Sequence, residues 1–425
     1  MSHDLTGPQW PAPRAVSPLA ARVVVPGSKS ATARALVLAG IASGPGTVSG
    51  GLEARDSALM RGALRALGAE IDDADPATWS VRPVATPTAA SIDCGLSGTV
   101  ARFVPPIAAL GGGTMSFHGD PEASARPVAP LLGALALAGA TIEGDRLPFT
   151  VTGPVRGGVV ELDASGSSQF VSGLLLTAAR FPEGLTVRHA GPPIPSRPYL
   201  DLTVGLLRAR GVAVAQPDEN TWVVEPGPVA PADETVPPDL MNAAAFLSAA
   251  LVAGGSVTVP GWPEVEVPGT EVPEILARFG AQAAYGPEGL TISHTGDRWR
   301  GIEINLHATS EVTPVVAVLA ALGEGESRIT GVEHIRGHET DRLHALAEEI
   351  NGLGGDVSEL PDGLVIRPRP LRAGVWHCYA DHRLAHAGAL LGLAVDGVVL
   401  DDVGCTSKTM PTFPEVWQGM VEATA

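Results

Sequence analysis

Apolar and polar residues alternate in short runs such as Gly255-Ser256-Val257-Thr258-Val259-Pro260-Gly261 and Glu326-Ser327-Arg328-Ile329-Thr330-Gly331, the pattern of half-buried strands. Each run follows a longer helix-like stretch and closes on a glycine. That glycine recurs as Gly50, Gly119, Gly191, Gly261, Gly331 and Gly404, at intervals of 69, 72, 70, 70 and 73 residues. Between these positions lies a second marker, a helix ending in Leu-x-x-x-Gly: Leu64 to Gly68, Leu135 to Gly139, Leu207 to Gly211, Leu276 to Gly280 and, with isoleucine, Ile350 to Gly354. Glycine there suits the left-handed residue that ends a helix. A short strand pair follows, as in Ala69 to Val81 and Val212 to Val224. The spacing predicts an α/β chain of six βαβαββ units, the last cut short after Trp417.

Polar motifs fall at one place in each unit, the start of the first helix. They are Lys29-Ser30, Ser97-Gly98-Thr99, Ser167-Ser168-Gln169, Asp239 to Asn242, Glu311 and Asp381-His382-Arg383. Helix N-termini carry free amide donors and partial positive charge, so several of them together would make an anion site. Serine, threonine, aspartate and asparagine at such places are ordinary N-caps. Lys29, Arg34, Arg102, Arg383 and Lys408 are not capping residues, and they point to ligands with several negative charges.

With 425 residues, of which 45% are hydrophobic, the chain is too long for one core and implies two or three domains. Its 51 glycines and 38 prolines are scattered, consistent with many short elements joined by turns. A formal charge of −18 argues against a nucleic-acid groove, which needs a basic surface. Any anion site must therefore be locally basic. Only two of the 28 basic residues are lysines, Lys29 and Lys408. Cys94, Cys378 and Cys405 are too few and too dispersed for a disulfide framework, which fits a reducing cytoplasm. No export signal is expected, and the longest apolar window, Leu240 to Val259, is interrupted by Asn242 and a glycine pair, so no membrane span is expected either. Residues before Arg14 are expected to form a flexible start.

Several chemistries are disfavoured by the same residues. Pro26-Gly27-Ser28-Lys29-Ser30 lacks the upstream glycine and the spacing of a nucleotide-binding loop. The pairs His334/His338 and His382/His386 have helical spacing, but Arg336, Arg342 and Arg383 would repel a metal cation, so none is expected. No cysteine or serine carries the local signature of an activated nucleophile. What remains is a set of arginines and two lysines beside Glu311, Glu339, Asp341 and Asp381, suited to a reaction between two polyanions. Taken alone, Glu339 and Asp341 read as a solvated helix face paired with Arg336 and Arg342.

Taken in order, the motifs resemble the 5-enolpyruvylshikimate-3-phosphate synthase family. The resemblance runs through Pro26 to Ser30 with Arg34, Leu96 to Thr99 with Arg102, Ser167 to Phe170, Arg197-Pro198-Tyr199, His338 to Arg342, Asp381-His382-Arg383 and Gly404 to Lys408. It spans about residues 22 to 418. It implies an enolpyruvyl-transferase-like fold of two domains, each of three units with helices inside and sheets outside, an inside-out α/β barrel. Residues 1–26 and 240–425 would form one domain, on the phosphoenolpyruvate side, and 27–239 the other, on the shikimate 3-phosphate side. Substrates would bind between the domains and draw them together, and a monomer is favoured.

The implied reaction moves the enolpyruvyl group of phosphoenolpyruvate to the 5-hydroxyl of shikimate 3-phosphate and releases phosphate, without metal or organic cofactor. By the resemblance, shikimate 3-phosphate is held by Lys29, Ser30, Arg34, Ser167, Ser168, Gln169, Ser196, Glu311 and His338. Phosphoenolpyruvate falls to Lys29, Gly98, Arg126, Gln169, Arg342, Arg383 and Lys408. Glu311 is expected to be the base at the hydroxyl, with Glu339 and Lys29 sharing proton delivery to the methylene carbon; His382 and Arg102 would orient these groups.

Four positions depart from the usual family pattern: Leu96 and His334 stand where asparagine is common, Glu311 where aspartate is, and His338 where lysine is. His338 is expected to bind protonated, so that affinity falls as pH rises. The sister family that transfers enolpyruvyl to a UDP-amino sugar usually has a cysteine on a mobile loop, absent from Glu122 to Arg126 here. An RNA 3'-phosphate cyclase would need a nucleotide site that these motifs do not supply. A ring-shaped clamp should repeat the same basic residues in each unit, and these motifs differ from unit to unit.

Overall fold

The computed structural model describes residues 9–263 and 266–423, which divide into two compact units. One is Gly27–Pro237; the other joins the segment ending at Pro26 to the chain from Pro238 onward. Strand pairing explains the two boundaries. Leu19–Arg22 lies parallel to Gly255–Val259, whereas Asp233–Thr235 lies parallel to Gly46–Ser49. One unit thus takes its first strand from the chain before Gly27, and Gly27–Pro237 takes its first strand from the end of its own continuous segment.

Each unit holds three helix pairs. In Gly27–Pro237 they are α1 (Lys29–Ile41) with α2 (Arg55–Ala66), α3 (Gly98–Ala108) with α4 (Ala129–Leu137), and α5 (Gln169–Ala178) with α6 (Pro198–Ala209). In the other unit they are α7 (Leu240–Ala253) with α8 (Val272–Ala277), α9 (Thr313–Leu322) with α10 (Arg342–Gly352), and α11 (His382–Gly392) with α12 (Phe413–Glu422). The first helix of each pair is buried on nearly every side: Ala31 to Ile41 and His382 to Gly392 are buried without interruption. Such a helix belongs inside a core. The second helix is one-sided; α2 buries Met60, Ala63 and Leu64 while Arg65 reaches solvent.

Every complete repeat lays down one four-stranded sheet. Ala90–Asp93, for example, runs parallel to Thr114–His118 across α3, and Phe149–Thr152 and Thr141–Glu143 complete the sheet antiparallel. The order is the same in the other four complete repeats. The glycines after the second helices, Gly68, Gly139, Gly211, Gly280 and Gly354, all have φ between 75 and 106°. A side chain there would meet the carbonyl, so glycine ends the helix and starts the hairpin. In the Gly27–Pro237 unit the sheets and helices enclose Leu36, Trp79, Phe103, Leu174 and Trp222; in the other, Phe246, Phe413 and Trp417 pack with tilted rings, centroids 5.2 to 5.5 Å apart. Each of these large side chains contributes roughly 2–3 kcal/mol of burial.

Among the described residues the sixth repeat has no closing hairpin. Its sheet, Gly374–Trp376 with Val398–Leu400, is completed instead by Trp10–Pro11, antiparallel to Leu400 and Val399. This corrects the expectation of a flexible start: from Gln9 the chain is ordered, with Trp10 packed on the core and Ala12 N–H donating to Val398 O. Residues 1–8 lie outside the described residues. Among the described residues no helix is long and apolar enough to cross a membrane.

Candidate active site

In the Gly27–Pro237 unit the first helices α1, α3 and α5 begin side by side, and their opening residues carry most of the expected ligands. Ser28 caps α1, accepting from Ala31 N, so Lys29 is the first residue of the helix; its Nζ lies 3.9 Å from Asp56. Ser97 caps α3 in the same way, placing Gly98 first. A methyl group on Gly98 would stand 3.2 Å from Arg102 Nη1 and from Arg126 Cζ. The glycine therefore lets two guanidinium groups close over a helix N-terminus. Arg102 donates to Gln169 Oε1 at 2.8 Å and to Pro127 O, orienting the first residue of α5. Arg126 donates to Leu96 O at 3.1 Å, while its Nε is buried with no hydrogen-bond partner among the described residues. Leu96, Gly98, Arg102, Arg126 and Leu147 line a narrow cleft.

Ser167 Oγ accepts from Gln169 N, Ser168 precedes α5 with no capping bond from its side chain, and Ser196 has φ 53°, a left-handed conformation unusual for serine. Arg34 is drawn inward. It is 1% exposed, donates to Thr203 Oγ1 at 2.8 Å, Ser30 O at 2.9 Å, Tyr199 O at 3.1 Å and Ser172 Oγ at 3.2 Å, and lies over the Phe103 ring. It braces α1, α5 and α6, and burial lowers its pKa to about 10.

In the other unit α7, α9 and α11 meet in the same manner, and here the charges are denser. Asp381 caps α11 and grips Arg342 of α10 with both oxygens, Oδ2 to Nε at 2.7 Å and Oδ1 to Nη2 at 3.2 Å. Arg342 also donates to Glu311 Oε2 at 3.1 Å, Glu339 Oε2 at 2.9 Å and His338 Nδ1 at 3.0 Å. Lys408 pairs with Glu339 Oε1, and Arg383 Nε approaches Glu311 Oε2 at 3.4 Å. Three cations and three carboxylates thus share one half-buried cluster. Asp341, by contrast, caps α10 and pairs with Arg336 toward solvent, as the solvated-face reading has it.

These contacts set the protonation states. Burial raises the Glu311 pKa, but Arg342, His338 and Arg383 outweigh it and hold the carboxylate well below its ordinary range. His338 is pushed down to about 3 by burial and then by Arg342, which donates into its Nδ1, so its surroundings favour the neutral ring. His334 falls to about 4 through burial and the neighbouring His307, and its Nε2 lies 2.8 Å from Ser310 Oγ. His382 is 1% exposed beside Asp381, in ring contact with His386.

A sequence model of EPSP synthase (3-phosphoshikimate 1-carboxyvinyltransferase) matches residues 13–417. The chain belongs to the EPSP synthase family. The family's reaction transfers the enolpyruvyl group of phosphoenolpyruvate to shikimate 3-phosphate, in aromatic amino acid biosynthesis. The structure is similar to that of EPSP synthase from Acinetobacter baumannii, with a TM-score of 0.80 and 24% identity over 97% of both chains. It is also similar to the enolpyruvyl transferase NikO from Streptomyces tendae, with a TM-score of 0.76 and 19% identity over 96% of both. At these identities the likeness carries the fold.

Three residues of the site were given no individual role by the sequence. Asp56 faces Lys29, Asp381 is the bidentate partner of Arg342, and Glu349 holds the turn before Asp381, accepting from Tyr379 Oη at 2.7 Å and His377 N at 2.8 Å. That turn places Tyr379 and Ala380 at φ 54 and 52°. Only the carboxylate at Asp381 was marked in the sequence.

Proposed function

We propose that this chain acts as a 3-phosphoshikimate 1-carboxyvinyltransferase through the two groups of side chains described. The observation that carries the proposal is the buried cluster of Arg342, Arg383 and Lys408 with Glu311 and Glu339 at the helix starts. Phosphoenolpyruvate would be held by Lys29, Gly98, Arg126, Gln169, Arg342, Arg383 and Lys408. Shikimate 3-phosphate would be held by Lys29, Ser30, Arg34, Ser167, Ser168, Gln169, Ser196, Glu311 and His338.

The cluster suggests how the base is switched on. Without substrate, Glu311 is a poor base because Arg342 and Arg383 stabilise its charge. An incoming carboxylate or phosphate that takes those guanidinium groups would raise the basicity of Glu311 as the reaction needs it. The 5-hydroxyl oxygen then bonds to C2 of phosphoenolpyruvate, its proton passing to Glu311, while the methylene carbon gains a proton from Glu339 or Lys29. Loss of phosphate and of one proton from the new methyl group restores the double bond. The cations stabilise the charge throughout. This chemistry asks for no cofactor; a cytoplasmic monomer is the setting we propose.

The test is phosphate release from phosphoenolpyruvate without added metal, with shikimate 3-phosphate or UDP-N-acetylglucosamine as acceptor. Release with shikimate 3-phosphate alone is expected. Release with the UDP-sugar alone, or with neither, would overturn the assignment.

A further inference from the structure

The motif Asp239 to Asn242 opens the fourth repeat in the place where the others carry site residues, and the mechanism above gives it nothing to do. Asn242 is 0% exposed, in the first turn of α7, whose cap Asp239 accepts from Asn242 N at 2.9 Å. Its side-chain amide faces two different segments. Oδ1 accepts from Arg383 Nη1 at 2.9 Å and from Thr409 Oγ1 at 3.3 Å, while Nδ2 donates to Thr409 O at 3.2 Å. The orientation of the amide follows from its partners, since a guanidinium only donates and a carbonyl only accepts.

For Arg383 this is the one hydrogen bond of the guanidinium among the described residues. Its Nε has none, and its contacts with Glu311 and Asp239 are ion pairs at 3.4 and 3.9 Å. Thr409 is itself buried and directly follows Lys408. One planar group therefore sets the guanidinium of Arg383 and anchors the backbone beside Lys408. We infer that Asn242 is a positioning residue that holds Arg383 and Lys408 in register for phosphoenolpyruvate. The inference rests on the proposed role of those two cations.

Asparagine suits this task better than its isosteres. Aspartate would keep the acceptor for Arg383 but neutralise part of its charge, and would turn an oxygen toward Thr409 O. Leucine would fill the space and leave Arg383 Nη1 and Thr409 O unpartnered. Alanine would remove both links.

The experiment is steady-state kinetics with each substrate varied in turn, on the wild-type full chain, Asn242→Ala and Asn242→Asp, together with their melting temperatures. Loss of the hydrogen bond to Arg383 predicts a rise of about tenfold or more in KM for phosphoenolpyruvate in Asn242→Ala, and partial neutralisation of Arg383 together with the lost bond to Thr409 O predicts a rise in Asn242→Asp as well. KM for shikimate 3-phosphate should stay within about twofold, a split that general loosening of the fold would not produce. The near-isosteric Asn242→Asp keeps the test open if Asn242→Ala does not fold. An unchanged KM for phosphoenolpyruvate, or an equal rise in both KM values that follows a lowered melting temperature, overturns the inference. Wild-type protein that turns over no shikimate 3-phosphate would instead overturn the functional reading on which it rests.

Discussion

Arg342 and Asp381 meet as a two-pronged pair, Nε to Oδ2 at 2.7 Å and Nη2 to Oδ1 at 3.2 Å, both side chains wholly buried. Asp381 also caps α11 by accepting from Arg383 N, so one carboxylate fixes two of the cations. Asp381→Ala would leave the cluster of Arg342, Arg383 and Lys408 with more positive charge than Glu311 and Glu339 balance. Removing one partner of a buried pair costs about 3–5 kcal/mol, so the urea midpoint of this variant should fall clearly. Asp381→Asn keeps an acceptor and should fall less. Equal stability of Asp381→Ala and wild type would show that the pair does not hold the cluster.

Acid sensitivity should begin near neutrality. His334 and His338 are held at about 4 and 3, and His386, buried against Arg383 and stacked on Phe413, well below the ordinary 6.5. The unfolded chain binds a proton at each near 6.5 while the folded chain does not. Stability is therefore lost as pH falls below about 6.5, by up to about 1.4 kcal/mol per pH unit per histidine. Glu311 works lower down: its folded pKa is depressed, so its contribution persists above about 4.5 and is lost only beneath that. Urea midpoints at pH 7.5, 6.5, 5.5 and 5.0 should decline for wild type and decline less steeply for His386→Leu. A parallel decline in the variant would remove His386 from this account.

The repeat could be read from the sequence because its signals are local. A left-handed glycine after a helix and a polar cap before one depend on a few neighbouring residues, and Gly68 or Ser97 does in the structure what the pattern implies. The partner choices were not legible in the same way. Asp381 and Arg342 are 39 positions apart, and only the packing of α10 and α11 on α9 decides that they meet. The lowered pKa of His338 needs both its burial and a guanidinium one turn away aimed at its Nδ1. Trp10–Pro11 is too short and too proline-limited to announce itself as a strand; it exists because Val398–Leu400 offers a free edge.

At Gly98 a single methyl group should separate the two substrates. The added carbon would stand 3.2 Å from Arg102 Nη1 and Arg126 Nη1, tight enough that the guanidinium groups must shift by tenths of an ångström. Both are side-chain ends, so the fold should tolerate the change. Gly98→Ala is expected to raise KM for phosphoenolpyruvate by about threefold or more while the melting temperature stays near wild type. If KM for shikimate 3-phosphate rose and that for phosphoenolpyruvate did not, the assignment of this cleft would be wrong.

The turn before Asp381 offers a last test, since it pairs a strained backbone with the carboxylate that restrains it. Tyr379 and Ala380 both take left-handed conformations that cost residues with a side chain about 1–2 kcal/mol each. Glu349, 6% exposed, holds the turn by accepting from Tyr379 Oη, His377 N and His377 Nδ1. Glu349→Gln weakens those bonds and should lower stability by about 1–3 kcal/mol. Ala380→Gly removes one strained side chain and should stabilise the protein by about 1 kcal/mol, alone and in the Glu349→Gln background. Because Asp381 and Arg383 follow directly, Glu349→Gln should also raise KM for phosphoenolpyruvate, and the added glycine should not restore it, since glycine relieves strain without re-anchoring the turn. Recovery of both stability and KM in the double variant would mean that strain, not anchoring, governs the position of Arg383.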